Sequence, residues 1–366
     1  MVSARSNIPA RILVISMAGI GDTLQATPVF EELRLQFPGA RIHAAVVWPG
    51  SAQLLQGNPH VDQVHQFNLL HGSKPAALRF LLGLRSHHFD LSLTLHPQGR
   101  REYRIVTRLI GARQRLSHDY ENRSMIDRCL VTHSLPQDYA VSGAENNLRL
   151  LSLLGLPRGL TNPATRIHLS EGELRWAESC DRSLGLEGKP WLGIHAGSGG
   201  TKNLSLRRWP ADSWIAFARL LAQARPDIPI VAFGGPGEQQ VHEQLRAALP
   251  PGRIHFPQTP DLRHAAALVA RASAFLSVDT AFMHIAAATR VPHQCVIETP
   301  TLNPPVEPLR PDWVRIPNPA VGGRSLDFYR YDGRPIAGTP DELTRIMQSV
   351  TPEAVAEHVL RGLTRH

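Results

Sequence analysis

Arg11-Ile12-Leu13-Val14-Ile15-Ser16, followed by Met17-Ala18-Gly19-Ile20-Gly21-Asp22-Thr23-Leu24-Gln25, is the stretch on which the fold turns. The first six residues are apolar and rich in β-branched side chains, the pattern of a parallel strand buried on both faces. The glycine turn after them opens a helix, expected to continue through Phe30-Glu31-Glu32-Leu33-Arg34-Leu35 and to stop at Phe37-Pro38-Gly39. Pro28 should kink that helix or mark its effective first turn. Arg41-Ile42-His43-Ala44-Ala45-Val46-Val47 then reads as a second strand. Strand, helix and strand within about 40 residues make a βαβ unit, the element of a doubly wound α/β sheet.

The alternation continues outward from this unit. Strands are expected at 64–67, 89–95, 191–195, 229–233, 253–256, 274–278 and 292–297. Helices are expected near 76–85, 101–108, 144–154, 171–184, 211–224, 262–272 and 352–363, with Gly155 ending the third of them. Pro157 to Pro163 is a Pro/Gly-rich connection and the candidate linker between two domains. The proline-rich 299–324 region reads as an irregular surface loop. No repeat of fixed period is visible.

A chain of 366 residues is long enough for two domains with separate cores. Hydrophobic residues make up 42% and charged residues 19%, as in soluble globular proteins. There is no leader-like N-terminal pattern and no apolar run of the roughly 18–20 residues that a membrane span requires. Cys129, Cys180 and Cys295 are far apart, which fits a reducing cytoplasm and offers no disulfide framework. No HExxH or His/Cys spacing marks a metal site, and His87-His88 reads as an isolated solvated pair. The net charge of +8 favours phosphorylated or acidic partners or an anionic membrane surface. Only three of the 39 basic residues are lysine, a bias most simply set by genome composition. No nucleic-acid motif or aromatic-interleaved basic stretch is present, so nucleic acid is not expected as a partner.

Four loops carry candidate chemistry. Gly19-x-Gly21 invites a nicotinamide reading, but Leu24 occupies the third glycine position and the second strand ends Val47-Trp48-Pro49 without an acid for a ribose. Asp22-x-x-Gln25 fits a capping box. Asp22 would also be a carboxylate at the carboxyl end of the first strand, where open α/β sheets bind ligands. Ala196-Gly197-Ser198-Gly199-Gly200-Thr201-Lys202 follows a strand, and its small residues let a backbone approach a ligand while Ser198, Thr201 and Lys202 offer donors. Gly234-Gly235-Pro236-Gly237-Glu238 follows another strand; Glu238 could bind both hydroxyls of a ribose or simply stabilise a helix dipole. Val278-Asp279-Thr280-Ala281-Phe282-Met283-His284 runs from a strand into an Ala-rich helix. Asp279 there is either an N-cap on a core helix or part of a helix start that accepts a phosphate, with Thr280 as an added donor and His284 one turn further along. Arg101, Arg104 and Arg108 share one helix face, either solvated or set to contact an anionic acceptor.

Taken in order, Ile20-Gly21-Asp22, Ile194-His195-Ala196-Gly197-Ser198 with Arg207-Arg208-Trp209-Pro210, Phe233-Gly234-Gly235-Pro236-Gly237-Glu238, and Asp279 through His284 resemble the glycosyltransferase family of lipopolysaccharide ADP-heptose heptosyltransferases. Phe37-Pro38-Gly39-Ala40-Arg41-Ile42 and Asn58-Pro59-His60-Val61-Asp62 agree with it. The resemblance implies an α/β GT-B fold, two Rossmann-like domains facing across a cleft. Residues 1–160 would form the acceptor-binding domain, 161–345 the nucleotide-sugar domain, and 346–366 a helix returning to the first domain. It implies an inverting, metal-independent transfer of a heptose from an ADP-sugar to a saccharide or glycolipid hydroxyl, with no cofactor. Asp22 would be the general base and Arg207 the catalytic cation, with Arg208 and Lys202 as rival matches. Ser198, Lys202, Arg208, Glu238, Asp279, Thr280, Ala281 and His284 would hold the donor, and Gly21, Thr23, Arg101 and Arg104 the acceptor. Ala281 stands where the family has glycine, and Ser16 where it often has arginine. The location implied is cytoplasmic, with peripheral contact at the inner face of the inner membrane. A different nucleotide-sugar donor, a non-lipopolysaccharide acceptor and a non-catalytic sugar-nucleotide-binding role stay open.

Overall fold

A computed structural model describes residues 9–198, 204–331 and 334–363. The chain divides into two units, one running to His168 with Tyr331 added, the other from Leu169 onward. The first contains β1 (Arg11–Ser16), β2 (Arg41–Val46), β3 (Gln63–Gln66), β4 (Leu91–Thr94), β5 (Gln114–Asp119) and β6 (His133–Pro136). All are parallel, in the order β3-β2-β1-β4-β5-β6. The second contains β7 (Leu192–His195), β8 (Ile230–Phe233), β9 (Ile254–His255), β10 (Ala274–Ser277), β11 (His293–Ile297) and β12 (Val314–Ile316). These too are parallel, in the order β12-β11-β10-β7-β8-β9. Each unit is therefore a doubly wound sheet whose order reverses between its first and fourth strands, as the α/β expectation requires.

Parallel strands connected by helices are covered on both faces, so their residues can be apolar throughout. In the first unit Ile12, Val14, Ile42 and Ala44 face a core shared with Val29, Phe30 and Leu33. Leu13, Ile15 and Ala45 face the opposite core, shared with Leu81, Leu84 and Phe89. The long first helix is in fact two, Ile20–Gln25 and Thr27–Gln36, separated at Ala26. Pro28 sits in the first turn of the second, where its missing N–H leaves no unmet bond.

Three expectations change. The domain boundary falls at His168–Leu169 rather than 160, because the connection is strapped to the first unit. Glu32 accepts from the N–H groups of Gly159 (2.6 Å) and Leu160 (2.7 Å), and the Arg166 N–H donates to the Thr27 hydroxyl at 3.1 Å. The 299–324 region is not a surface loop. It contains β12, and Thr299, Thr301, Leu302, Asn303 and Asn318 are buried. Glu298 organises it, accepting from Arg315 at 2.9 Å and from the Asn318 N–H at 2.8 Å, while its prolines lack the donors that burial would strand. Finally, the last helix, Pro352–Leu363, was expected to return to the first domain. Its apolar face, Val355, Ala356, Val359 and Leu363, lies in the core of the second unit with Trp214, Phe217 and Leu276.

Candidate functional site

In the second unit, β7 and β10 are neighbours with Ser277 opposite His195, so the loops after both strands leave the sheet at its switch point. Asp279 is buried there, but it does not cap the following helix. Its Oδ2 accepts from Arg207 Nη1 at 2.7 Å and from the Thr301 hydroxyl at 2.6 Å, and Thr301 in turn meets Thr299 at 3.0 Å. The N-cap of the helix Ala281–Ala288 is Thr280, in extended conformation, with no side-chain capping bond. The first-turn N–H groups thus lack a side-chain partner, and among the described residues the buried Thr280 hydroxyl, Arg207 Nε and His284 Nδ1 have none either. Burial pulls the His284 pKa down to about 4, with Asp279 opposing and Arg207 adding to the fall, so the ring is neutral near pH 7.

Arg208 diverges from its neighbour. It donates to the Ser198 hydroxyl at 3.3 Å, to the Ser198 carbonyl at 3.0 Å, to the Gly237 carbonyl at 3.2 Å and to Glu238 Oε1 at 3.2 Å. Glu238 Oε2 accepts the Gly235 N–H at 2.9 Å, so this carboxylate closes its own turn and also ties it to the loop after β7. A Cβ on Gly197 would lie 2.2 Å from Glu238 Oε1, so glycine lets the carboxylate sit where it does. Beside them the His195 ring stacks on Phe282, centroids 4.5 Å apart, and burial lowers its pKa to about 3. Ala281 is half-buried at the helix start. Lys202 lies outside the described residues, as do Gly199, Gly200 and Thr201.

In the first unit Gly19 is the N-cap of Ile20–Gln25, and Asp22 is its third residue rather than the cap itself. Asp22 Oδ2 accepts the Gly19 N–H at 2.6 Å, which closes the turn just past β1. Gln98 locks this edge to β4: its amide donates to the Ile15 carbonyl at 2.6 Å and its oxygen accepts the Met17 N–H at 3.2 Å. Burial raises the Tyr103 phenol, with Arg100 opposing and the charge of Asp22 adding to the rise. Gly21 is half-buried, whereas Thr23 is buried, its hydroxyl donating to Ser51 at 2.8 Å and to the Gly19 carbonyl at 3.3 Å.

The arginine face does not form as expected. Arg101 and Arg108 are exposed, but Arg104 is buried, 3.5 Å from Asp127 with its guanidinium 5.9 Å from the Tyr120 ring centroid. The solvated reading of His87 also fails, since it is half-buried in ring contact with His43 and His65. Sequence reasoning missed Thr301, Gln98 and the stacking role of His195. Only His195 carried a signal, as the last residue of a switch-point strand. A cavity of about 500 Å³ among Phe328, Ala337, Glu342 and Arg345 involves none of the candidate residues.

Comparison with known proteins fits this geometry. Residues 77–296, more than half of the chain, match the model of glycosyltransferase family 9 (heptosyltransferase). Lipopolysaccharide heptosyltransferase 3 of Escherichia coli is 27% identical over 286 residues, covering 74% of this chain and 78% of that protein. The solved E. coli ADP-heptose lps heptosyltransferase II superposes with a TM-score of 0.71 at 20% identity, covering 97% and 99% of the two chains. The E. coli heptosyltransferase WaaC with ADP-2-deoxy-2-fluoro heptose gives 0.68 at 17% identity, covering 96% and 99%. At these identities the solved structures speak to the fold, which is shared; the family match speaks to the activity class. The chain belongs to glycosyltransferase family 9 and is a glycosyltransferase.

Proposed function

We propose that the enzyme transfers a heptose from ADP-heptose, with inversion and without a metal, to a hydroxyl of a lipopolysaccharide-type saccharide or glycolipid. The observation that carries this reading is the helix start at Thr280: an uncapped first turn, an unpartnered hydroxyl and an arginine with its Nε unspent. Such a group of donors suits a diphosphate. The relatives support the donor class, since several are heptosyltransferases and one was solved with an ADP-heptose analogue.

In this reaction Asp22 takes the proton of the acceptor hydroxyl as its oxygen attacks the anomeric carbon. The bond from that carbon to the diphosphate oxygen breaks on the opposite face, and ADP leaves with the added negative charge. Arg207, Thr280 and the N–H groups of Ala281 and Phe282 stabilise that charge as it develops. Ser198, Arg208 and Glu238 hold the nucleoside end; a carboxylate accepts about four hydrogen bonds, so Glu238 can keep the Gly235 N–H and still take ribose hydroxyls. Among the described residues no helix is long and apolar enough to cross a membrane. The net charge of +8 supports peripheral docking on an anionic surface, which rising salt should release from vesicles.

The test compares binding of ADP, UDP and GDP by calorimetry, then follows ADP release from ADP-heptose with lipopolysaccharide-core saccharides, chelator present. Preferential ADP binding and acceptor-dependent release are expected. Tighter UDP or GDP binding would reassign the donor. ADP binding without release across the acceptor panel would favour the non-catalytic reading.

A further inference from the structure

Three histidines far from one another in sequence meet on the sheet of the first unit. His43 is the third residue of β2 and lies on the face that Ala45, Leu13 and Ile15 share with the helix Lys74–Ser86. On the neighbouring parallel strand His65 stands opposite Ala45, two residues along from His43, so both imidazoles project from the same face. The third, His87, is the C-cap of the helix Lys74–Ser86, which brings its ring down onto that pair. Ring centroids are 5.1 Å apart for His43 and His65, 5.0 Å for His43 and His87, and 5.1 Å for His65 and His87. One ligand nitrogen from each lies within 4.8 Å of the other two.

Packing alone does not account for this grouping. His43 Nδ1 and His65 Nε2 are 3.0 Å apart, so one proton serves two nitrogens, and the ring of Phe89 walls the group without offering a hydrogen bond. A tetrahedral ion with metal–nitrogen bonds of about 2.0–2.1 Å needs ligand nitrogens about 3.3 Å apart. That spacing falls between the closest contact here and the outer limit of the cluster, within reach of side-chain rotation.

We propose that His43, His65 and His87 form a binding site for a single transition-metal ion of the Zn²⁺, Co²⁺ or Ni²⁺ type, built from three imidazoles and distinct from the Asp22 and Asp279 edges. An all-nitrogen donor set selects such ions over Mg²⁺ or Ca²⁺, which take oxygen ligands. The half-exposed sides of His65 and His87 leave the fourth position to water. The ion would staple β2, edge strand β3 and the end of the helix Lys74–Ser86, so its effect is on stability rather than on sugar transfer.

The experiment strips the purified chain of metal and titrates it with Co²⁺, reading the visible d–d absorption of a nitrogen-ligated ion, then displaces it with Zn²⁺. Thermal melting with and without Zn²⁺ runs in parallel. The proposal expects one equivalent bound and a higher Tm with Zn²⁺. His65→Asn and His87→Asn should each weaken binding by at least about tenfold, a loss that even removing an outer-shell partner can cause. His88→Asn, at the exposed neighbour, should change nothing. Either ligand variant suffices if the other does not fold, as judged by circular dichroism. No stoichiometric binding by the wild type, equal binding in the folded ligand variants, or an equal loss in His88→Asn would each overturn it.

Discussion

Replacing Asp22 by asparagine separates its structural from its proposed chemical role. The carboxylate accepts the Gly19 N–H at 2.6 Å from the third position of its helix. Asparagine keeps an oxygen there, so the turn can close. What it loses is the charge in the first turn, worth about 0.3–1 kcal/mol, and the charge-assisted excess of one hydrogen bond, about 1 kcal/mol. A total near 1–2 kcal/mol lowers Tm by roughly 2–8 °C, given about 2–4 °C per kcal/mol for units of this size. A domain stable by about 5–15 kcal/mol stays folded at assay temperature. Loss of a general base instead costs about 10²–10⁴ in rate, roughly 3–5 kcal/mol of barrier. The assay is initial-rate ADP release at saturating donor and acceptor, with ADP affinity measured by calorimetry. The expected result is a rate at least a hundredfold lower with ADP affinity unchanged, because the proposed nucleotide contacts lie in the other unit. A rate within about threefold of wild type, or a rate loss matched by an equal loss of ADP affinity, would refute the base assignment.

Arg207→Met leaves the Asp279 carboxylate buried beside the Thr301 hydroxyl without its cation, which should cost about 3–5 kcal/mol in a denaturant titration. Adding Asp279→Asn should recover much of that stability but not ADP affinity; recovery of both would show the pair to be structural only. Gly197→Ala puts a methyl group 2.2 Å from Glu238 Oε1, so the carboxylate must move and ADP binding should weaken well beyond the change in Tm. His195 and His284 have folded pKa values of about 3 and about 4, caused chiefly by burial and both below the ordinary 6.5. The unfolded chain therefore binds more protons as the pH falls below 6.5, and the folded state loses stability from there down to about pH 4 and then about pH 3. Above pH 6.5 these two groups contribute no slope. Denaturation midpoints from pH 7.5 to 4.5 should fall, and His284→Asn should flatten the decline.

The βαβ unit was legible because β1 and β2 are buried on both faces and therefore continuously apolar. The strands that escaped notice lack that signal. β5 is Gln114-Arg115-Leu116-Ser117-His118-Asp119, mostly polar, β6 is His133-Ser134-Leu135-Pro136 at a half-exposed sheet edge, and β12 is Val314-Arg315-Ile316 among prolines. Position along the chain put the candidate residues at the carboxyl ends of switch-point strands, where open α/β sheets gather ligands. Local chemistry misled where a distant partner won. Asp279 fits a cap by sequence, but Arg207, 72 residues away, and Thr301, in the supposed surface loop, take its oxygen. Asp22-x-x-Gln25 fits a capping box equally well, yet the cap is Gly19, whose backbone conformation no side-chain pattern announces. The histidine cluster needed both the register of β2 against β3 and the end of a helix, none of it visible as spacing.

The two sheets share one strand order without a shared sequence, and what differs is how each treats the acid at its switch point. In the first unit Asp22 bonds to the backbone of its own turn, so its negative charge stays at the helix start. In the second, Arg207 and Thr301 draw Asp279 aside, which neutralises the carboxylate and withholds it from the helix. Had Asp279 capped that helix, a negative charge would occupy the place where the proposed reaction brings a diphosphate, and repulsion would oppose binding. The buried Arg207–Asp279 pair thus does more than hold two loops together. In the proposed reaction it would turn a helix start that its sequence would close into one that accepts an anion, while the same topology in the first unit would leave Asp22 to take the acceptor's proton.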